Sequence, residues 1–405
     1  MSFPMHASTS GWAGWWYSSC HWLCVKLYFD KVRIRGAERL PDAGPVLYLG
    51  LHRNGAVDGF IYHQLMPKGV FLVSTQLRRS LPGRLFFCGI EVAREKDDAA
   101  AGGNVAALHA CTDLLANGGE LAIFPEGTSS LGPRHLPFKS GAARVALAAL
   151  RLGVPLRIIP LGIHYERAWV FRSRVEVVIG EPVDMDFSAN PSEHGKLNEL
   201  KRRISRALEN VGVNFSSASE QEMAERLAFA ATLGTGRGYF ESLKALEAGV
   251  PSRLSEGLAE ISKSRLLDFQ GVPLFPGKPW IFYLLLLLLL GPLALAGVLF
   301  NLPPLMLAWF AARRLADGKN VISLWRILVG VPLGLVWAGV MLLLIGWLHG
   351  LAGMAAYLFF TVAALKCFRR VMKLCVAVWN GAFSPAMHGP AWRFHAEVLN
   401  HLSGK

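Results

Sequence analysis

His52 and Asp58 lie six positions apart, just past the apolar run Val46–Leu51. The run reads as a buried strand, and His52-Arg53-Asn54-Gly55 reads as the turn that ends it. Strand-end loops are where open α/β sheets place their ligand sites. A carboxylate there can hold one imidazole nitrogen and fix its tautomer. The other nitrogen is then able to take a proton from a hydroxyl. Residues six apart face different sides of a straight helix. The pair can therefore meet only if the chain turns between them, and Gly55 makes that turn easy. An ordinary surface loop shows the same spacing, so the pair gains weight only from its surroundings.

Three further stretches supply them. Arg94 closes Phe86–Arg94, after another short apolar strand. Its guanidinium suits bidentate binding of a phosphate, although a surface arginine would look the same. Glu126-Gly127-Thr128-Ser129 follows the apolar run Leu121–Phe124 and Pro125. Gly127 lets backbone N–H groups approach an anion, and Thr128 and Ser129 add hydroxyls. Glu126 repels phosphate. It suits holding an arginine or accepting a bond from a substrate hydroxyl. Lys139 stands at the start of a helical pattern, whose N-terminus favours anions. A strand bounded by Pro155 and Pro160 reads as an apolar wall.

The elements that must position these groups alternate. Strands are expected at Val32–Ile34, Val46–Leu51, Val70–Val73, Ile90–Ala93, Leu121–Phe124, Leu156–Ile163 and Val175–Ile179. Helices are expected at 56–66, 104–116 and 139–152. This alternation predicts an α/β fold, a mostly parallel sheet flanked by helices. Leu197, Leu200, Ile204 and Leu208 mark an amphipathic helix at 193–211, and 219–266 is helical with a solvated face.

Composition points to lipid. The 405 residues are 52% hydrophobic and 18% charged, with a formal net charge of +13. A basic chain seeks nucleic acid, an anionic membrane or an anionic substrate, and the apolar content favours the last two over nucleic acid. Trp12, Trp15, Trp16, Tyr17 and Trp22 crowd the first stretch, as in an interfacial helix. The first 25 residues lack the basic start and clean apolar core of a signal peptide. The six cysteines form no C-x-x-C pair and read as free thiols in a reducing compartment.

Ile281–Leu302 and Ile327–Leu348 are long enough to span a bilayer, and Leu351–Leu365 follows a turn at His349-Gly350. Arg313, Arg314, Lys319 and Arg326 precede the second span, and Lys366, Arg369, Arg370 and Lys373 follow the third. The positive-inside rule puts both basic ends in the cytoplasm, and 280–312 then enters and returns to the same side. The expected organisation is an aromatic-rich interfacial helix (1–30), an α/β domain (31–190), a helical extension (191–275), a membrane-embedded part (276–380) and a cytoplasmic tail (381–405).

The ordered set of motifs resembles the glycerolipid acyltransferase family, of the lysophosphatidate and glycerol-3-phosphate acyltransferase type, over roughly residues 30–190. The resemblance implies that His52 is the general base and Asp58 its partner. It implies that Arg94 binds the acceptor's phosphate, that Glu126, Gly127 and Thr128 form an acceptor-binding block, and that Pro160 lies in a fourth block. Lys139 joins the phosphate-binding set, and Arg53, Asn54 and Gly55 supply oxyanion contacts or positioning. The family's commonest motif has four residues between His and Asp, where this chain has five; Asn54 stands where serine is frequent, and Leu51 where asparagine is.

The expected reaction is O-acyl transfer from acyl-CoA or an acyl-carrier protein to a hydroxyl of 1-acylglycerol 3-phosphate, giving phosphatidate, on the cytoplasmic face of a bilayer. Glycerol 3-phosphate and dihydroxyacetone phosphate are the alternative acceptors. A non-catalytic lipid-binding membrane protein and a fatty-acid-releasing hydrolase are the rivals. No metal or cofactor is expected. G-x-S-x-G, Walker A and H-E-x-x-H patterns are absent from the sequence, as is a G-x-G-x-x-G placed after a strand.

Overall fold

The computed structural model describes residues 12–93, 102–187, 192–262 and 266–404. The chain divides into two compact units. Met1–Lys26, Val32–Ala168 and Val175–Asn214 make the first, and Leu27–Lys31, Trp169–Arg174 and Phe215–Lys405 the second.

Up to residue 211 the elements run in this order: α1 (Trp12–Tyr28), β1 (Lys31–Arg35), β2 (Val46–Gly50), α2 (Val57–Tyr62), β3 (Val70–Ser74), α3 (Thr75–Arg78), α4 (Leu81–Phe86), β4 (Ile90–Val92), α5 (Gly102–Ala116), β5 (Glu120–Ile123), α6 (Gly141–Arg151), β6 (Arg157–Tyr165), β7 (Arg174–Ile179) and α7 (Glu193–Val211). The seven strands form one sheet in the order β1-β7-β6-β2-β5-β3-β4. Strands β6, β2, β5, β3 and β4 run parallel, and β7 pairs antiparallel with β6. All five residues of β2 are buried, as an apolar run covered on both faces requires. Parallel neighbours put their C-terminal ends on one edge, so the loops after β2, β5 and β6 meet there.

The seven expected strands and the α/β class are present. Helix α7 does not open a separate extension at 191. It lies within the first unit, where His164 Nε2 donates to Val211 O at 2.8 Å. In α1, Trp16 Nε1 and Tyr17 Oη donate to Leu85 O and Arg84 O. Trp12 stays 72% exposed, with Trp15 and Trp22 also outward.

The second unit contains α8 (Ala218–Ala231), α9 (Tyr239–Leu246), α10 (Ser252–Ser262), the antiparallel pair β8 (Asp268–Phe269) and β9 (Val272–Pro273), α11 (Trp280–Phe300), α12 (Leu302–Leu315), α13 (Ile322–Phe383) and α14 (His388–Leu402). Helix α13 breaks at Gly350, whose φ of 65° and ψ of −163° suit glycine alone. The chain folds back there. Trp337, before the break, donates to Phe300 O at 2.7 Å, while Tyr357, after it, donates to Asn301 Oδ1 at 3.4 Å. Leu289 is 72% and Trp347 82% exposed, so these apolar helices are not the core of a soluble domain.

One charge assigned to the cytoplasmic surface is spent inside the fold. Arg369 is buried, donates to Arg172 O at 3.0 Å, and lies 3.7 Å from Asp30. Asp30 also pairs with Arg172 and Arg174. Burial of an arginine is tolerated because the carboxylate and carbonyl replace its water. The basic end after the third span therefore rests on Lys366, Arg370 and Lys373.

Candidate active site

The loop after β2 turns through Gly55, at φ 55°, and re-enters the helix α2 with Asp58 in its first turn. His52 Nδ1 and Asp58 Oδ2 are 2.9 Å apart. Asp58 is 0% exposed, and four donors surround its carboxylate. Oδ2 also accepts the backbone N–H of Arg53 at 2.6 Å and of Asn54 at 2.8 Å. Oδ1 accepts the Tyr165 hydroxyl at 2.5 Å. A carboxylate so surrounded is an acceptor only, so the hydrogen of His52 sits on Nδ1. Nε2 then carries the lone pair, which is the arrangement a general base needs.

The imidazole is fixed from two more directions. Its ring stacks on Phe124, with centroids 4.3 Å apart and planes 14° apart. Its backbone N–H donates to Glu126 Oε1 at 2.8 Å, and its carbonyl accepts from Ser130 N at 3.0 Å. Glu126 is 2% exposed, and its Oε2 accepts the Leu136 N–H at 3.1 Å. Burial pushes the Glu126 carboxyl above its ordinary value, with those two N–H bonds pulling it back down. Burial likewise pushes the Tyr165 hydroxyl well up, so it remains a proton-bearing donor to Asp58.

The expected residues fall into three groups. His52 and Asp58 are brought together. Arg53 and Asn54 touch the pair in the positioning role of the two expected, and Glu126 touches it in another role than expected. The Asn54 backbone N–H is engaged by Asp58 and is not an oxyanion donor. Arg53 Nη2 ties the loop to Gly132 O at 2.9 Å, and Asn54 Nδ2 reaches Ala168 O at 3.2 Å. Glu126, expected to meet the acceptor, has both carboxylate oxygens taken by backbone N–H groups and is a strut of the His52 loop. The Gly127 N–H, expected to approach an anion, closes a turn onto Phe124 O at 3.0 Å.

Gly127, at φ 74°, nevertheless lies beneath Lys139: a Cβ there would meet Lys139 Cε at 3.1 Å. Thr128 and Lys139 are exposed beside it. Arg94 lies outside the described residues. Pro160 is buried in β6, opposite Leu49 of β2.

Tyr165 and Phe124 are the functional neighbours that sequence reasoning missed. Tyr165 is 107 positions from Asp58. Its only sequence signal is its place at the C-terminal end of a strand paired with β2, the same edge as His52. Among the described residues, no group of three or more His, Cys, Asp or Glu side chains is arranged to hold a metal.

Residues 31–164 match the family model described as Acyltransferase. A glycerol-3-phosphate O-acyltransferase 2 from Saccharomyces cerevisiae is 32% identical over 119 residues, which is 27% of this chain and 16% of that protein. A 1-acyl-sn-glycerol-3-phosphate acyltransferase from Chlamydomonas reinhardtii is 32% identical over 144 residues, 35% of this chain and 42% of that one.

The chain carries an acyltransferase domain, similar over part of its length to glycerol-3-phosphate and 1-acylglycerol-3-phosphate acyltransferases. Strands β2 to β5, all of β6 but Tyr165, and the His52–Asp58 pair lie inside the matched segment. A solved 1-acyl-sn-glycerophosphate acyltransferase from Thermotoga maritima aligns at 22% identity and a TM-score of 0.35, over 48% of this chain and 78% of that one. The chain spans less than half the length of the two curated relatives described above.

Proposed function

We propose that this protein transfers a fatty acyl group from an acyl thioester, acyl-CoA or acyl-carrier protein, to a hydroxyl of 1-acylglycerol 3-phosphate, giving phosphatidate. The observation that carries the reading is the His52–Asp58 pair, buried, aligned by three further donors, with the basic face of the imidazole at Nε2.

His52 Nε2 takes the proton of the acceptor hydroxyl as its oxygen attacks the thioester carbonyl carbon. Asp58 stabilises the imidazolium that forms. The tetrahedral intermediate collapses, the C–S bond breaks, and the leaving sulfur takes the proton back from His52. Arg94, Thr128 and Lys139 receive the acceptor phosphate, and no covalent acyl-enzyme is required. Glycerol 3-phosphate is the second acceptor reading, supported by the relative of that name. In this reading the α11–α13 helices hold the protein in a bilayer, and the positive ends Arg313, Arg314, Lys366 and Arg370 support a cytoplasmic side for the acyltransferase domain.

The test uses the whole chain in phosphatidylcholine nanodiscs, with radiolabelled palmitoyl-CoA and acceptors with and without phosphate. Transfer is expected only to the phosphorylated acceptors, with His52→Ala inactive and Arg94→Ala raising the acceptor KM. Full transfer by His52→Ala would defeat the mechanism. Release of free palmitate irrespective of acceptor would make the protein a hydrolase.

A further inference from the structure

As a general base, His52 is a neutral ring before the reaction and a cation while it carries the acceptor's proton. Whatever attracts the cation more than the neutral ring speeds the reaction, because only stabilisation that grows towards the transition state raises kcat. Asp58 supplies such attraction at one edge of the imidazole, through Nδ1 at 2.9 Å. The face of the ring has a neighbour too. Phe124 lies nearly parallel to it, with planes 14° apart and centroids 4.3 Å apart. That is well inside the roughly 6 Å over which an aromatic face attracts a cation. His52 is 8% exposed, so little water competes for the charge.

The local chain is built to keep that ring in place. Phe124 stands one residue past β5, and β5 pairs in parallel with β2, so the ring comes level with the end of β2. Gly50 closes β2. A Cβ there would lie 3.0 Å from the Phe124 ring and 2.9 Å from that of Tyr62. A side chain at position 50 would push both rings away, and glycine leaves them room. Tyr62 and Phe71 back Phe124, with centroids 6.0 and 6.1 Å from its own. An aliphatic side chain such as leucine could also pack there, but it has no negative face to offer a cation.

We propose, resting on the acyl-transfer reading, that the negative face of the Phe124 ring stabilises the imidazolium of His52 in the transition state. Phe124 then acts on catalysis through His52 and touches neither substrate. The kind of attraction suits the task. The proton taken from the hydroxyl must be given up again to the leaving sulfur. A second carboxylate on this face would hold the proton, whereas a ring face attracts the cation and competes for no proton.

The test replaces Phe124 in the full chain by 3,5-difluorophenylalanine and then by 3,4,5-trifluorophenylalanine. Fluorine drains charge from the ring face and hardly alters its size. The variants are assayed in phosphatidylcholine nanodiscs with palmitoyl-CoA and 1-palmitoylglycerol 3-phosphate. The kcat is expected to fall stepwise with fluorine content, by about tenfold for the trifluoro ring, the size of a cation–π contact shielded from water. Phe124→Leu should lose a similar factor. KM for either substrate should stay within about twofold, and the melting temperature of the fluorinated proteins should hold. A kcat independent of fluorine content overturns the proposal and leaves the ring as packing; so does a loss that appears in KM or follows the melting temperature. The acyl-transfer reading fails separately. A parent that only releases palmitate is a hydrolase, and the fluorine series is then scored on that hydrolysis, where His52 takes its proton from water. A parent inert in both assays refutes the two together.

Discussion

Tyr165→Phe removes one oxygen and leaves the ring that packs beside it. Among the described residues the lost group is the single donor to Asp58 Oδ1, at 2.5 Å, inside a site where Asp58 is fully buried. A hydrogen bond to a charged group contributes about 1.5–3 kcal/mol. Three donors remain, all on Oδ2. The carboxylate is therefore still held but free to rotate about its bond, and His52 turns with it.

If the whole contribution is lost from the transition state, kcat falls by about ten- to a hundredfold, at about 1.4 kcal/mol per factor of ten. Tyr165 contacts Asp58 and not the reacting atoms, so it is a positioning residue and KM for either substrate should stay within about twofold. Tyr62→Phe is the control. That hydroxyl is also fully buried, but it donates to Leu51 O and Leu161 O at 3.3 and 3.2 Å. It should lower the melting temperature and spare kcat. Steady-state transfer kinetics with radiolabelled acyl-CoA, beside thermal unfolding of the same samples, separate the two. Equal kcat losses in both variants, tracking stability, would refute a specific link from Tyr165 to the dyad, as would an unchanged kcat in Tyr165→Phe.

Glu126→Gln should cost about 1–3 kcal/mol of stability and displace His52, because an amide offers one acceptor oxygen where the carboxylate serves two N–H groups. Unfolding midpoints and kcat should both fall; a variant equal to the parent in both would remove Glu126 as a strut. Acid should destabilise the first unit through His21. Burial lowers this imidazole from 6.5 to about 3 in the folded state, where it donates from Nε2 to Phe86 O. The unfolded chain takes up a proton between those values and the folded chain does not. Stability therefore falls as pH drops below about 6.5, at about 1.4 kcal/mol per unit, or roughly 2 kcal/mol by pH 5. His21→Gln should flatten that slope in denaturant titrations from pH 7 to 5; an unaltered slope would assign the loss to other groups.

The sheet and the dyad were legible because both are written locally. Each strand is an apolar run closed by a turn signal, and His52, Gly55 and Asp58 lie within seven residues. What surrounds the dyad was not legible. Tyr165, Phe124 and Glu126 reach it through parallel pairing of β2 with β5 and β6, contacts made across 70 to 110 positions. The sequence showed a glutamate beside a glycine and a threonine, which reads as ligand chemistry. It could not show that both oxygens of that glutamate face backbone donors of neighbouring loops. Whether the Asn54 N–H positions the dyad or meets an oxyanion was open for the same reason: a turn that lets His52 meet Asp58 also aims the intervening N–H groups at the carboxylate.

The apolar helices show the opposite balance. Their lengths and the break at Gly350 were plain from composition, since a bilayer-length apolar run admits few alternatives to helix. The burial of Arg369 was not, because a charged residue one turn from Lys366 and Lys373 reads as part of a solvated basic end. Spacing alone would keep it with them, since Arg369 is three positions from Lys366 and four from Lys373. Its contacts decide otherwise: the guanidinium turns inward to Asp30 and Arg172. Positive-inside counting weighs every arginine alike, yet only charges that reach water or headgroups can orient a span. With Arg369 removed from the count the sign of the bias is unchanged, because three cations still follow the third span and its tip at His349 carries no Lys or Arg.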